Sequence, residues 1–561
     1  MAPPAGRIVG IDLGTTFSAV AYVDQDGHPV TIENRDGELV TPSVVQVRPD
    51  RHILVGREAM LNASQHPQQT AFNFKRDMGE RFYRRKIDGR DFAPEALSAL
   101  VLKQLMLDAR RVLGDVREAV ITVPAYFGDK RRQTTEDAGR IAGLRVADIL
   151  NEPTAAALAN AFREYLARGG DAVRLDLLAV AATAPTTTLV FDLGGGTFDV
   201  TIIRIDSHQF EVVATGGEVR LGGVDFDERL QNCFCDEFAR RHGVDPRDDP
   251  GTNLRVRTMA ELGKRALSLR EQTVLVAEHM GRKLSLAVTR AQFEELCADL
   301  LTRAQLSTEM LLEDSMLTWD RIDEILLVGG ATRMPMIHQM LERISGKKPN
   351  MATAPDQIVA HGAAIHAAIL QMQRSDAAVT VDGSRTLTSD ENLAEQASSA
   401  AEAPGVFKES VVLAGRKVSL QNVNAHSLGV VVRASRENRI VNSQIIPRNT
   451  PLPTTRTRVF GTEAPNQSII RLRIVEGESR DPRACAQIGE CVVRDLPEGL
   501  PQGAPVEVTF RYDGSGRLHV KAVELTRQTS AEVCIERVSG FQPQDLDQLA
   551  ESVSRLMETD Q

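Results

Sequence analysis

Along the first two-thirds of the chain the apolar positions change period repeatedly. Runs rich in Val and Ile at 8–13, 19–23, 119–123, 188–192, 200–205 and 324–328 read as strands. Between them, 92–112, 130–142, 153–166, 226–241, 254–269 and 290–313 carry apolar residues at three- and four-residue intervals, which predicts amphipathic helices. Asp129 is placed to cap the second of these helices and Thr289 the last. The alternation predicts an α/β domain over 7–373. Residues 374–422 are mostly small, polar and aperiodic, which predicts a flexible linker with at most a short helix near 392–401. From 423 to 540, short strands such as 459–461, 469–475, 506–512 and 518–523 are split by turns such as Asp513-Gly514-Ser515-Gly516. That predicts an all-β domain. Leu546, Leu549, Val553, Leu556 and Met557 sit at helical spacing and predict a short helix within 541–561.

Two segments of the α/β part repeat one device. Ile11-Asp12-Leu13-Gly14-Thr15-Thr16-Phe17-Ser18 and Phe191-Asp192-Leu193-Gly194-Gly195-Gly196-Thr197-Phe198-Asp199 are each an apolar strand, an Asp, a Gly/Thr turn and a second strand. Glycine lets a turn approach phosphate oxygens closely, and successive turn N–H groups form a concave anion site. Thr15, Thr16 and Thr197 add hydroxyl donors. Asp12 and Asp192 stand at strand ends, where they are suited to hold Mg²⁺ through its water shell. One such segment alone is as readily an ordinary hairpin. Two in this order, with the motifs below, predict a clamp for a nucleoside triphosphate and its metal.

Composition narrows the partners. The 561 residues imply several domains, and 42% hydrophobic with 25% charged residues is usual for a globular chain. A net charge of −10 without a basic block argues against nucleic acid. No apolar run of membrane-spanning length and no signal-peptide core are present, so no membrane is expected. Six scattered cysteines read as reduced thiols in a cytoplasmic protein, and Cys233-x-Cys235 falls in a helix where the two side chains diverge. The histidines show no ligand spacing, and Trp319 reads as packing.

Further segments suit nucleotide chemistry. Leu327-Val328-Gly329-Gly330-Ala331-Thr332-Arg333 is a strand entering a double-glycine turn. Glu261, Lys264, Arg265 and Ser268 share one helical face, which by itself reads as solvated surface. The run 119–127 is a strand ending at Pro124, and Asn151-Glu152-Pro153-Thr154 opens a helix with proline in its first turn. No Gly-x-x-x-x-Gly-Lys-Ser/Thr loop occurs, which excludes a P-loop enzyme.

With Phe74-Lys75-Arg76, Leu221-Gly222-Gly223-Val224-Asp225-Phe226-Asp227 and Pro355-Asp356, these motifs resemble the seventy-kilodalton heat-shock chaperone family, which is DnaK-like. In the β part, Ser427-Leu428-Gly429, Ile446-Pro447-Arg448-Asn449-Thr450 and Val475-Glu476-Gly477-Glu478 resemble that family's peptide-binding domain. The resemblance implies an actin-like two-lobed ATPase domain followed by a β-sandwich. It implies that Lys75 reaches the γ-phosphate and that Glu152 orders metal or attacking water. Asp192 and Thr197 complete the catalytic set, and Asp12 and Asp192 position the magnesium waters. Gly14, Thr15, Thr16, Gly194, Gly195, Gly196, Gly222 and Gly223 cradle the phosphates. Glu261, Lys264, Arg265, Ser268, Gly329, Gly330, Arg333 and Asp356 hold adenine and ribose. Pro124 and Arg132 match a pair that relays nucleotide state. Phe460, Ile470 and Leu472 match positions lining a peptide pocket, against the plainer reading as sandwich core. ATP and Mg²⁺ as cofactors, extended apolar peptide as ligand, and J-domain co-chaperones and exchange factors as partners follow from the same resemblance.

The sequence also departs from the family. It ends after one short helix, where the family continues into a helical lid. Val418-Ser419-Leu420-Gln421-Asn422 stands where the family has an aliphatic linker ending in Asp, preceded by about forty loose residues. Val224 replaces a usual polar residue, and 163–187 reads as an insertion. Two functions therefore compete: an ATP-controlled peptide-binding chaperone, and a nucleotide-dependent adaptor with weak coupling whose β-domain serves one dedicated partner. A sugar kinase or actin-like filament protein would share the clamp but not the β part.

Overall fold

A computed structural model describes residues 7–50, 52–168, 185–206, 209–351, 354–383, 410–413, 416–434, 439–494, 496–513, 517–526 and 529–534, together with 550, 551 and 553. Two sheets dominate the N-terminal part. The first runs Pro29–Thr31, Phe17–Val23, Arg7–Asp12, Val116–Val123, Arg145–Asn151, with Thr41–Pro42 paired to Phe17–Val23. The second runs Asn350–Met351, Glu324–Val328, Thr186–Leu193, Phe198–Ile205, Gln209–Glu218, Arg416–Gln421, Ser410–Leu413. Each is built around an antiparallel hairpin, Arg7–Asp12 with Phe17–Val23 and Thr186–Leu193 with Phe198–Ile205. In each, the first hairpin strand also pairs in parallel with a later strand. Helices cover both faces, so the central strands are buried on both sides and read as unbroken apolar runs rather than as alternation.

Two helices, Glu152–Ala167 and Ile358–Gly383, pass between the sheets and share one core with strands of both. Their contact faces are small: Ala155, Ala156 and Ala157 on one, Ala360, Ala363 and Ala364 on the other. Gly362 lies against the Ala155 backbone and Gly10 against the Ala363–Ala364 backbone, so closely that a Cβ at either position would overlap it. Smaller units flank the cleft: the sheet Ile53–Val55, Val44–Val47, Thr70–Phe72 on one side, and the hairpin Gln272–His279 with Arg282–Thr289, packed on Pro250–Leu269, on the other. The C-terminal part is a sandwich of two four-stranded sheets, Arg439–Ile446, Leu428–Ala434, Ile470–Glu476, Ala486–Val493 and Thr454–Gly461, Pro505–Tyr512, Leu518–Glu524, Thr529–Cys534.

Several expectations meet a different outcome. The helix expected over 290–313 is two, Arg290–Leu296 and Ala298–Asp314, broken at Cys297, whose ψ of 5° leaves the helical range. Thr289 caps the first of them through the Gln292 N–H. Asp129 is instead the first helical residue of Asp129–Ile141, and the cap position is Gly128. Short strands of mixed polarity, such as Val44–Val47, Arg145–Asn151 and Gln209–Glu218, carry too weak a period to be read beforehand. The proposed insertion falls mainly on 169–184, and the short helix near 392–401 on 384–409, both outside the described residues. Of the C-terminal helix only 550, 551 and 553 are described, and Val553 is buried against the core of the first lobe.

The 374–422 stretch differs most. The helix Ile358–Gly383 continues into it, and its last part forms the strands Ser410–Leu413 and Arg416–Gln421. Arg416–Gln421 lies parallel on Gln209–Glu218, pairing Gln209 with Ser419, Phe210 with Leu420 and Glu211 with Gln421. The reason is physical: sheet pairing uses backbone groups, so Ser419 and Gln421 do not weaken the ladder. Leu420 packs on the core that contains Phe210, and the Gln209 Nε2 donates to Gln421 Oε1 at 2.7 Å. Replacing Leu420 with Asp removes about 2 kcal/mol of apolar burial and places a charge against that core. We expect roughly thirtyfold faster amide exchange across 416–421, and unchanged exchange would show that Leu420 does not hold this strand.

Candidate functional site

The two hairpin turns meet across a cleft of about 1020 Å³ between the lobes. Gly195 is packed against Thr16 and Gly196 against Thr15, so closely that a Cβ at either glycine would overlap the threonine. Among the described residues no acceptor reaches the N–H groups of Thr15, Thr16, Gly195 or Gly196, which leaves four turn donors free. Asp12, Gly14, Thr15, Thr16, Gly194, Gly195 and Thr197 line the cleft, with Lys75, Glu152 and Asp192. Lys75, 3% exposed, donates to Glu152 Oε1 at 2.6 Å. Gly196 and Gly222 stand behind the wall: Gly196 accepts from Arg76 Nε at 2.9 Å, and Gly222 is packed on the Gly196 backbone.

Farther along the cleft, Gly223, Glu261, Lys264, Arg265, Ser268, Gly329, Gly330, Arg333 and Asp356 share its lining. The face that spacing alone read as solvated therefore opens on the same cavity as the hairpins. Arg265 pairs with Glu261 at 2.6 Å and lies over the Phe17 ring, 5.5 Å from its centroid. Arg333 pairs with Asp356 at 2.9 Å. Lys264, at the cleft wall, is already engaged, pairing with Asp227 and donating to the Gly223 carbonyl, both at 2.8 Å.

Charge is unbalanced on the floor. Burial, and then the charge of Glu152, push the Asp12 carboxyl up to about 7, and the same two causes push Asp199 up to about 7. Asp192 is raised well above the carboxylate range, first by burial and then by Glu152. Lys75 pulls against all three shifts. Among the described residues no group of three or more His, Cys, Asp or Glu can ligate a metal directly. A carboxylate-rich floor with open space above it fits a hard divalent cation that keeps its waters.

Three residues had no role in the sequence reading. Arg76 ties the second turn to the helix Gly223–His242 through Asp225, at 3.1 and 2.5 Å. Asp227 anchors Lys264. Asp199 accepts from the Tyr126 N–H at 2.8 Å. Their signals were present, in Phe74-Lys75-Arg76 and in the Asp225-x-Asp227 pair after the double glycine, but the partners lie up to 149 positions away in sequence.

The cleft is also connected to the sandwich. The Tyr126 ring meets the His426 ring edge-on at 4.3 Å, and Tyr126 lies beside Pro124 in the loop after Val116–Val123. Arg132, half-buried, donates to the Asn151 side chain, whose Nδ2 donates to Asn422 Oδ1 at 3.3 Å. Asn151 immediately precedes Glu152. In the sandwich, Ile470 and Leu472 are buried in its core, and Phe460 is partly buried against the same cluster with Val432.

The described cysteines Cys233, Cys235, Cys297, Cys485 and Cys491 are free thiols. No helix among the described residues is long and apolar enough to cross a membrane. The family model described as Hsp70 protein matches residues 8–388 and 378–561. The chain is 36% identical over 591 aligned positions to a chaperone protein DnaK of Thermus thermophilus, covering 99% of this chain and 84% of that protein. It is 35% identical over 569 positions to the chaperone protein DnaK of Thermotoga neapolitana, covering 100% and 85%.

Proposed function

This chain belongs to the Hsp70 family, whose members are ATPases, and on that premise we propose that it is a chaperone in which ATP in the cleft governs the grip of the β-sandwich on extended apolar peptide. The observation that carries this reading is the joining of the two halves. The Lys75–Glu152 pair on the cleft floor is one residue from Asn151, which hydrogen-bonds Asn422, the residue that follows the strand Arg416–Gln421.

The free N–H groups of Thr15, Thr16 and Gly195, with the threonine hydroxyls, take the phosphates, and Gly196 supports them from behind the wall. Gly14, Gly194, Gly222 and Gly223 keep the turns close enough to do so. Lys75 places positive charge where the transition state spreads negative charge over phosphoryl oxygens. Glu152 and Thr197 orient the attacking water. Asp12 and Asp192 hold the water shell of Mg²⁺, which when bound neutralises phosphate charge. Arg265, Arg333 and Asp356, with Glu261, Ser268 and the Gly329-Gly330 turn, face adenine and ribose, while Lys264 acts from behind by fixing Gly223. Pro124 and Arg132 carry the state of the site outward through Asn151 and Tyr126. Phe460 is the accessible edge of the peptide slot, with Ile470 and Leu472 forming its base.

Anisotropy of a labelled apolar peptide tests the coupling. Release is expected to be faster with ATP than with ADP, and the peptide is expected to stimulate turnover. Equal release rates in both nucleotides would remove the coupling. Capture of one stoichiometric partner without suppression of aggregation would favour the adaptor reading.

A further inference from the structure

We infer that Glu476 of the sandwich is the N-terminal cap of the helix Asp129–Ile141, and that this contact makes domain docking take up a proton. The inference concerns docking itself and holds whatever ligand the sandwich takes.

The helix has no cap of its own. Gly128 occupies the cap position and offers no side chain. The Glu476 carboxylate fills the place a Cβ on Gly128 would take, directly at the N-terminal end of the helix. A carboxylate at a helix N-terminus satisfies orphan N–H groups and meets the positive end of the helix dipole. Here the cap and the helix come from different domains, so the cap exists only while the domains are docked.

The same contact crowds acidic groups. Asp129 is buried beside Glu476, and burial first, then the charge of Glu476, raise its carboxyl to about 8. Desolvation raises Glu476 as well, against the opposing pull of His426 and Arg131. Every element packed here contributes a charge or a titratable group. The helix adds Arg131 and Arg132, the segment before Ser427 adds His426, and the turn after the strand Ile470–Glu476 adds Glu478. The strand Pro505–Tyr512 and its continuation add Tyr512, Asp513 and Arg517. His426 is held above its ordinary value by Glu478 and Glu476 despite desolvation, so it also favours the protonated form when docked.

The sign follows from the direction of the shifts. An undocked carboxyl titrates near 4, and docked Asp129 near 8. Between those values the docked state holds a proton that the undocked state releases. Docking is therefore strongest at low pH and weakens as pH rises, by up to about tenfold per unit for each proton taken up.

The full chain with saturating ATP provides the test. Hydrogen exchange across 416–421, rescaled for the intrinsic rate, is read at pH 6 and pH 8 in the wild type, Glu476→Gln, Asp129→Asn and the double variant. The amide introduced by Glu476→Gln keeps the shape of the side chain at Gly128 but carries no charge. Wild-type protection is expected to fall at least tenfold from pH 6 to pH 8. Either single variant should lessen the fall, and the double variant should lose most of it, with any remaining slope belonging to His426. A flat wild-type profile overturns the inference, as does a double variant that keeps the full slope.

Discussion

Replacing Lys75 with alanine lowers ATP turnover by about 10²–10³-fold while ATP binding weakens far less. The asymmetry follows from where the charge sits. In the proposed site the free turn N–H groups and the Thr15, Thr16 and Thr197 hydroxyls would still hold the phosphates in the ground state. The substitution would remove only a fixed ammonium at the point where phosphoryl charge is proposed to develop. The substitution also strips Glu152 of its partner, and an unpaired buried charge costs roughly 3–5 kcal/mol unless the group protonates. A drop in turnover could then come from a disturbed fold. The double variant Lys75→Met with Glu152→Gln separates the two effects, since it removes both charges and keeps the volume. It should unfold near the wild-type temperature and remain slow. A Lys75→Ala protein that turns over ATP within tenfold of wild type would exclude the catalytic role.

Gly362→Ala should destabilise the ATPase lobes by about 1–3 kcal/mol, which lowers their melting temperature by roughly 2–10 °C. Helix propensity argues the other way, because alanine in place of glycine within a helix gains about 1 kcal/mol. The tertiary contact decides the sign. A Cβ at Gly362 would overlap the Ala155 carbonyl, and that neighbour is backbone in a second buried helix, which cannot rotate aside. The helices Glu152–Ala167 and Ile358–Gly383 must separate, opening the core they share with both sheets. Thermal unfolding of the nucleotide-free protein measures this, and an unchanged or higher melting temperature would show that the crossing can relax. Because Glu152 begins one of these helices, turnover should fall with stability.

The cleft was largely legible beforehand because its parts are local. A strand, an Asp and a glycine turn occupy adjacent positions, and the chemistry of each turn is set within about eight residues. Lys75 and Glu152 were legible only through family resemblance, since their pairing joins positions 77 residues apart. Arg76, Asp227 and Asp199 were missed for the same reason. Nothing local distinguishes an arginine that braces a distant turn from one in solvent. The linker was misjudged for a different reason. Ser419 and Gln421 lower the hydrophobicity of the segment, whereas the strand is held by backbone pairing, with Leu420 packed on that core. What stands at the start of Asp129–Ile141 could not be read from its own residues, because the Glu476 carboxylate packed on Gly128 comes from more than three hundred positions downstream.

By itself the sequence determined the inventory: two glycine turns after Asp-ended strands, an α/β part, a β part and the family to which they point. Those features rest on neighbours along the chain, where periodicity and glycine placement act directly. Only the tertiary structure decided how the inventory is wired. It set the turns against each other, gave Glu152 its ammonium partner, docked the linker as a strand, and brought a sandwich carboxylate to a helix end in the other domain. Those outcomes depend on burial and on partners remote in sequence, and desolvation changes what a charge costs only once the surrounding chain is in place.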